Sequence, residues 1–162
     1  MGTGEKERKK RVILVEDEAV IAMDEASVLS SAGFDVTVLG SGKEAVEAAA
    51  SMVPPPDLIL MDIDLGSGMD GAEAARRILR FREIPILFLS SHTESTIVEK
   101  TEEISSYGYL VKPVAPTVLF ASIRMAFRLY DARLKILAKN MEIEQASEEL
   151  RQSEEELIVS SR

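Results

Sequence analysis

Five short apolar runs alternate with longer amphipathic segments before residue 112, and this alternation constrains the fold more than any other feature of the chain. The first run, residues 12–15 (Val-Ile-Leu-Val), is rich in β-branched side chains and too short for a helix. Residues 35–39, 58–61, 84–89 and 108–111 repeat the pattern. Between the first two runs, Val20, Met23, Ala26, Val28 and Leu29 carry helical spacing through residues 19–32, and Gly33 stands where a C-terminal cap belongs. Ser41 with Glu44 makes a capping-box pattern ahead of a helix at 42–52, which Pro54-Pro55-Pro56 ends. Further helices are expected at 72–81 and, more weakly, at 94–104. A final one begins near Pro116, a residue suited to a first helical position. Strands that alternate with helices imply a parallel sheet covered on both faces through right-handed crossovers. The near-continuous apolarity of the first, third and fourth runs fits burial on both faces. The expected fold is α/β: a doubly wound five-stranded parallel sheet, order 2-1-3-4-5, with an extended C-terminal helix.

Ligands of such a sheet bind beyond the carboxyl ends of its strands. Glu16 and Asp17 follow the first run, Asp62 closes the third, and Lys112 ends the fifth. The expected strand order sets the first and third strands side by side, so the three acids converge. Clustered carboxylates repel one another and call for a divalent cation, which leaves the lysine to meet a second anion. Oxygen donors beside an anion point to Mg²⁺ and phosphate. Composition removes the competing chemistries. There is no cysteine, hence no disulfide or thiolate site, and the single histidine, His92, cannot build a histidine cage. A net charge of −9 argues against nonspecific binding to nucleic acid or to an anionic membrane. No apolar run approaches the roughly 20 residues of a membrane span, and no signal peptide precedes the first run, so the cytoplasm is expected. Residues 1–10 are polar and mixed in charge, and a flexible leader is expected there.

Four motifs lie on these elements in order: Val15-Glu16-Asp17-Glu18, Met61-Asp62-Ile63-Asp64-Leu65 with Met69-Asp70-Gly71, Leu89-Ser90-Ser91, and Val111-Lys112-Pro113. Together, across residues 11–128, they resemble the receiver domains of two-component response regulators, whose fold is flavodoxin-like. The resemblance implies that Asp62 is the phosphoacceptor, attacking a phosphohistidine on a sensor histidine kinase to give a reversible aspartyl phosphate. It implies Mg²⁺ held by Asp17 directly, Glu16 through water, Asp62, and the backbone carbonyl of Asp64. Lys112 would pair with Asp62 at rest and with a phosphoryl oxygen afterward, beside a cis Lys112–Pro113 bond. Ser90 would be the hydroxyl that meets the phosphoryl group, Tyr109 the aromatic that turns inward with it, and Ser91 the small residue at the phosphoryl entrance. Such a domain acts on itself rather than as an enzyme, with slow loss of its own phosphoryl group.

Plainer readings apply at several positions. Glu18 is expected to cap the first helix, and Asp70-Gly71 to turn the chain into the third. Tyr109 also suits a core position. His92 stands where this family tunes dephosphorylation, and equally suits an exposed histidine without a task. The segment 63–70 departs from the receiver pattern: it is one residue longer, with Gly66 where proline is usual and Gly68 nearby. Asp62-Ile63-Asp64 also resembles the nucleophile motif of haloacid-dehalogenase-type phosphatases, but that family's further metal-binding acids lie downstream, on a strand this chain lacks.

From Pro116 to Arg162 there is neither proline nor glycine. Ile123, Phe127, Tyr130, Leu134, Leu137 and Met141 make a heptad seam. Ile143, Ala146, Leu150 and Leu157 carry a different stripe with Ser153 in its gap, as across a stutter. Residues 129–162 are therefore expected to form a coiled-coil linker in a homodimer, parallel by preference. Residues 147–157 resemble the helix that precedes PAS sensor domains in receiver–PAS–histidine kinase proteins, which implies an output domain outside this chain. No DNA-recognition motif follows. A phosphorylation-independent dimerisation module is the remaining alternative.

Overall fold

The computed structural model describes residues 7–105 and 107–161. Five strands, β1 (Arg11–Val15), β2 (Asp35–Leu39), β3 (Leu58–Asp62), β4 (Ile86–Ser90) and β5 (Tyr109–Val111), form one parallel sheet in the order β2-β1-β3-β4-β5. Five helices alternate with them: α1 (Ala19–Ser31), α2 (Gly42–Ser51), α3 (Gly71–Leu79), α4 (Ser95–Ile104) and α5 (Pro116–Ser160). The expected class and strand order hold. Apolar runs specify burial directly. Every residue of β3 and β4 is buried, as are residues 12–15 of β1, whereas the edge strands β2 and β5 are partly exposed. One core fills the α2–α3 face of the sheet around Ile13, Ile59, Met61, Ile78 and Phe88. The other fills the opposite face, where Leu29 of α1 and Leu119, Ile123 and Ala126 of α5 meet Leu14, Leu60 and Leu87.

Local chemistry sets the helix ends. Gly33, at φ 94°, follows α1, with its N–H on Ser30 O at 3.0 Å and the Phe34 N–H on Leu29 O at 3.3 Å. That pair of bonds is a Schellman motif. Ser41 Oγ accepts from the Glu44 N–H at 3.1 Å, capping α2. The reciprocal arm of the box is shifted by one residue, since Glu44 Oε2 accepts from the Gly40 N–H at 2.8 Å. Asp70 caps α3 through the Glu73 N–H at 2.8 Å.

Three expectations change. Glu18 occupies the N-cap of α1 but its side chain caps nothing; its N–H instead donates to Glu16 Oε1 at 3.2 Å. The inward face of α1 is built on Ala22 and Leu29, seven residues apart on one side of the helix, leaving Val20 and Met23 exposed on other sides. β4 begins two residues later than expected, after Pro85, which has no N–H for the ladder, and it extends through Ser90.

The chain divides into two units, Met1–Phe127 and Arg128–Arg162. Of the expected leader, Met1–Lys6 lies outside the described residues. Residues 7–10 are exposed without regular structure, yet Arg8 reaches Asp57 at 3.3 Å and Lys10 O accepts from the Asp35 N–H at 2.9 Å. In the second unit α5 continues as unbroken helix to Ser160. Among the described residues no helix is long and apolar enough to cross a membrane.

Candidate functional site

The register of the sheet assembles the site. Val15 pairs with Met61, so the residues that follow, Glu16 and Asp62, leave adjacent strands at the same level. Glu16 is fixed by its N–H on Leu39 O at 3.0 Å. Ser90 pairs with Val111, and the Lys112 N–H donates to Ser90 O at 2.9 Å, which anchors the lysine at the same edge. Its ammonium reaches Glu16 Oε2 at 2.6 Å and Asp62 Oδ2 at 2.8 Å. Both carboxylates are buried, 3% and 4% exposed. The other oxygen of Asp62, Oδ1, accepts from the Asp64 N–H at 3.0 Å. Oxygens of Glu16, Asp17 and Asp62 lie within 4.8 Å of one another, Asp17 being the exposed member. The three acids and the lysine expected from the sequence are thus brought together, and the Lys112–Pro113 bond is cis.

This donor set suits a hard divalent cation. Its donors are all carboxylate oxygens, at spacings that an octahedral ion with ~2.1 Å bonds can bridge with small adjustment. Three carboxylates against one ammonium leave two negative charges. Their mutual effect is visible in Glu16, whose pKa is raised by burial and then by the contact with Asp62, with Lys112 working in the opposite sense. Burial also works against the charge of Lys112, but its hydrogen bonds to Asp62 and Glu16 outweigh it and raise the pKa of the ammonium.

The remaining candidates form a second group on the β4–α4 side. Ser90 is buried, and its Oγ accepts from the His92 N–H at 3.0 Å. The Tyr109 hydroxyl donates to His92 O at 2.6 Å while the half-buried ring packs on the core. Ser91 is exposed. The His92 ring lies 3.1 Å from Asp64 Oδ1 and 3.2 Å from Glu94 Oε2. Its pKa is raised, Asp64 being the larger cause. Asp64 therefore carries a side-chain role that sequence reasoning did not assign.

Two further features went unread in the sequence. Glu25, on α1 three residues after buried Ala22, buries its Oε2 without a hydrogen-bond partner. Burial pushes its pKa up to about 6, with Lys112 opposing and Glu16 and Asp62 reinforcing the rise. A charge between Ala22 and Leu29 on the inward stripe was the available signal. The second is Gly71, whose Cβ, were it present, would lie 2.0 Å from Asp62 O; its N–H bonds Ile63 O at 3.0 Å. In the unusual loop, Gly66 sits at φ 70°, which proline cannot adopt, and a Cβ there would meet Asp17 Oδ2 at 3.1 Å.

The family model described as the response regulator receiver domain matches residues 12–124. The transcriptional regulatory protein PdtaR of Mycobacterium tuberculosis is 36% identical over 118 residues, 72% of this chain and 56% of that protein. The DNA-binding response regulator MtrA of Mycobacterium leprae is 32% identical over 123 residues, 76% of this chain and 53% of that protein. The chain thus spans about half the length of these curated relatives. Among solved structures, the N-terminal domain of a response regulator/sensory box/GGDEF three-domain protein from Carboxydothermus hydrogenoformans matches with a TM-score of 0.70 and 40% identity, covering 77% of this chain and 99% of that one. The BeF3-activated receiver domain of Klebsiella pneumoniae RstA matches with a TM-score of 0.67 and 31% identity, covering 74% and 99%.

Proposed function

Because the chain belongs to the response regulator receiver domain family, we propose that it takes a phosphoryl group from the phosphohistidine of a sensor histidine kinase onto Asp62. An oxygen of Asp62 attacks phosphorus, the P–N bond to the kinase histidine breaks, and a P–O bond forms, giving an acyl phosphate. One observation carries this reading: Lys112 bridges Asp62 at 2.8 Å and Glu16 at 2.6 Å at the carboxyl edge of the sheet. A cation already held against the acceptor oxygen is placed to follow charge onto a phosphoryl oxygen. Glu16, Asp17, Asp62 and the backbone carbonyl of Asp64 would hold Mg²⁺, which when bound supplies charge neutralisation for the transferring group.

Ser90 and Tyr109 act as the switch. The Ser90 hydroxyl, now accepting from the His92 N–H, turns to the phosphoryl group, and Tyr109 shifts its hold on His92 O with it. Ser91, exposed beside Ser90, leaves the approach open. The acyl phosphate is lost slowly by hydrolysis.

Residues 1–10 serve as leader, 11–128 as receiver and 129–162 as a coiled-coil linker through which two copies associate. The signal passes along that helix to a PAS or kinase output domain beyond this chain. Two observations support this: the Carboxydothermus relative is described as carrying a sensory box, and in the curated relative PdtaR the matched segment makes up only 56% of the protein. The cytoplasm is the setting, with neither nucleic acid nor membrane as partner.

Incubation with acetyl phosphate and Mg²⁺ should add one phosphate to the wild-type chain and none to Asp62→Ala, read by intact mass. Equal labelling of the two would overturn the assignment of Asp62. Multiple-turnover release of phosphate from small phosphomonoesters would favour the phosphatase alternative.

A further inference from the structure

Within the second unit, Leu129, Ile136, Ile143, Leu150 and Leu157 recur at seven-residue steps without a break. All five are between 50% and 66% exposed, so the stripe is unpartnered within the chain. The seam read from sequence behaves differently. Ile123 is buried and Phe127 is packed in the core of the first unit, and after Met141 the same phase continues into Glu144 and Glu148. The phase of Leu129 and Ile136 thus runs without a break into the later expected stripe of Ile143, Leu150 and Leu157. Set at heptad position a, it is accompanied at d by Ala132, Lys139, Ala146, Ser153 and Ser160. Beyond Met141 the opposite face is charged, with Arg151 pairing with Glu148 and Glu155 along the helix, whereas before it that face carries Leu134, Leu137 and Met141.

We propose that this stripe binds a second copy of the chain in antiparallel orientation. The proposal rests on the reading that the C-terminal helix is a homodimer contact, and it differs from the parallel arrangement expected above. Two physical arguments carry it. The first is size. In an antiparallel pair position a of one helix faces position d of the other, so Leu157 meets Ala132, Ile143 meets Ala146 and Ile136 meets Ser153. Large side chains then fill the space beside small ones. The same register sets Lys139 beside Leu150, whereas a parallel pair stacks Lys139 on Lys139 inside the seam. The second is charge at the flanking e and g positions, which set orientation. Parallel packing puts Arg128 beside Arg133 and Glu149 beside Glu154 of the other copy. Antiparallel packing puts Arg133 beside Glu154 and Lys135 beside Glu156, against one like pair, Glu142 with Glu149. The acids Glu154, Glu155 and Glu156, close to the C-terminal end of α5, also run against the helix dipole.

The chain contains no cysteine, so disulfide trapping gives a clean test on the full chain. Ala132→Cys and Leu157→Cys variants, one carrying a mass tag, would be oxidised separately and as a mixture. The expected result is a mixed disulfide in the mixture at several times the yield of either self-linked product. Self-linked Leu157→Cys dimers as the main product would overturn the antiparallel orientation while leaving the dimer reading intact. A monomer mass by light scattering at tens of micromolar, with no disulfide in any sample, would overturn the dimer reading itself.

Discussion

Lys112 Nζ lies 2.6 Å from Glu16 Oε2, closer than its 2.8 Å approach to Asp62 Oδ2, across 96 residues of sequence. The lysine therefore neutralises the first strand's acid as well as the third's. Glu16 and Asp62 are both buried, so they depend on this one cation. Replacing it with an apolar side chain strands two carboxylates away from water. Without divalent cation at pH 7, Lys112→Met should lose about 3 kcal/mol of stability by urea unfolding. Adding Glu16→Gln should restore part of the loss, and at low pH the deficit should shrink as Glu16, whose pKa is raised, takes up its proton.

Asp17 plays the opposite part. It is the exposed member of the acidic triplet, so removing its charge relieves repulsion at little cost. Asp17→Asn should leave the metal-free chain as stable or up to about 0.5 kcal/mol more stable. It should also abolish most of the rise in thermal midpoint with Mg²⁺. For the wild type that rise corresponds to about 1.4 kcal/mol at ten times Kd. An unchanged Mg²⁺ response in the variant would remove Asp17 from the donor set.

Glu25 gives a pH dependence of known sign. Its folded pKa is raised to about 6 from an ordinary 4.5. The folded state thus holds the proton more tightly than the unfolded chain. The stability this contributes is full below about pH 4.5 and is lost as pH rises through 6. Since Glu25 is only half-buried, solvent screening limits the effect to about 1 kcal/mol. Glu25→Gln, neutral throughout, should be more stable than the wild type by about that amount at pH 7.5 and equal to it at pH 4. Urea midpoints at the two pH values decide.

Gly71 and Gly33 should separate steric from conformational cost. A Cβ at Gly71 would stand 2.0 Å from the carbonyl oxygen of Asp62, backbone against backbone, with no side chain able to yield. Gly71→Ala should cost more than about 3 kcal/mol, and should displace Asp62 enough to slow its phosphorylation. Gly33 has open space around the missing Cβ but a φ of 94°. Gly33→Ala should cost only about 1 kcal/mol, with phosphorylation unchanged.

The sequence by itself determined the fold class, the strand order and which strand ends carry the acids and the lysine. Apolar runs of strand length, helical spacing between them, and caps such as Ser41 and Gly33 place the elements, and the doubly wound arrangement of alternating strands and helices gives the order. Phases and partners were decided only by tertiary structure. α1 turned Val20 and Met23 outward because contact with the sheet selects Ala22 and Leu29, and an apolar period cannot choose between two faces when both carry apolar residues. The contact of Glu16 with Lys112, the burial of Glu25 and the closeness of Gly71 to Asp62 depend on ångström-scale approach between segments far apart in the chain. In the same way, Ile123 and Phe127, the first two residues of the seam read from the sequence, are taken by the core of their own domain. Short-range pattern fixes what each segment is; packing in three dimensions fixes which of its faces is already taken.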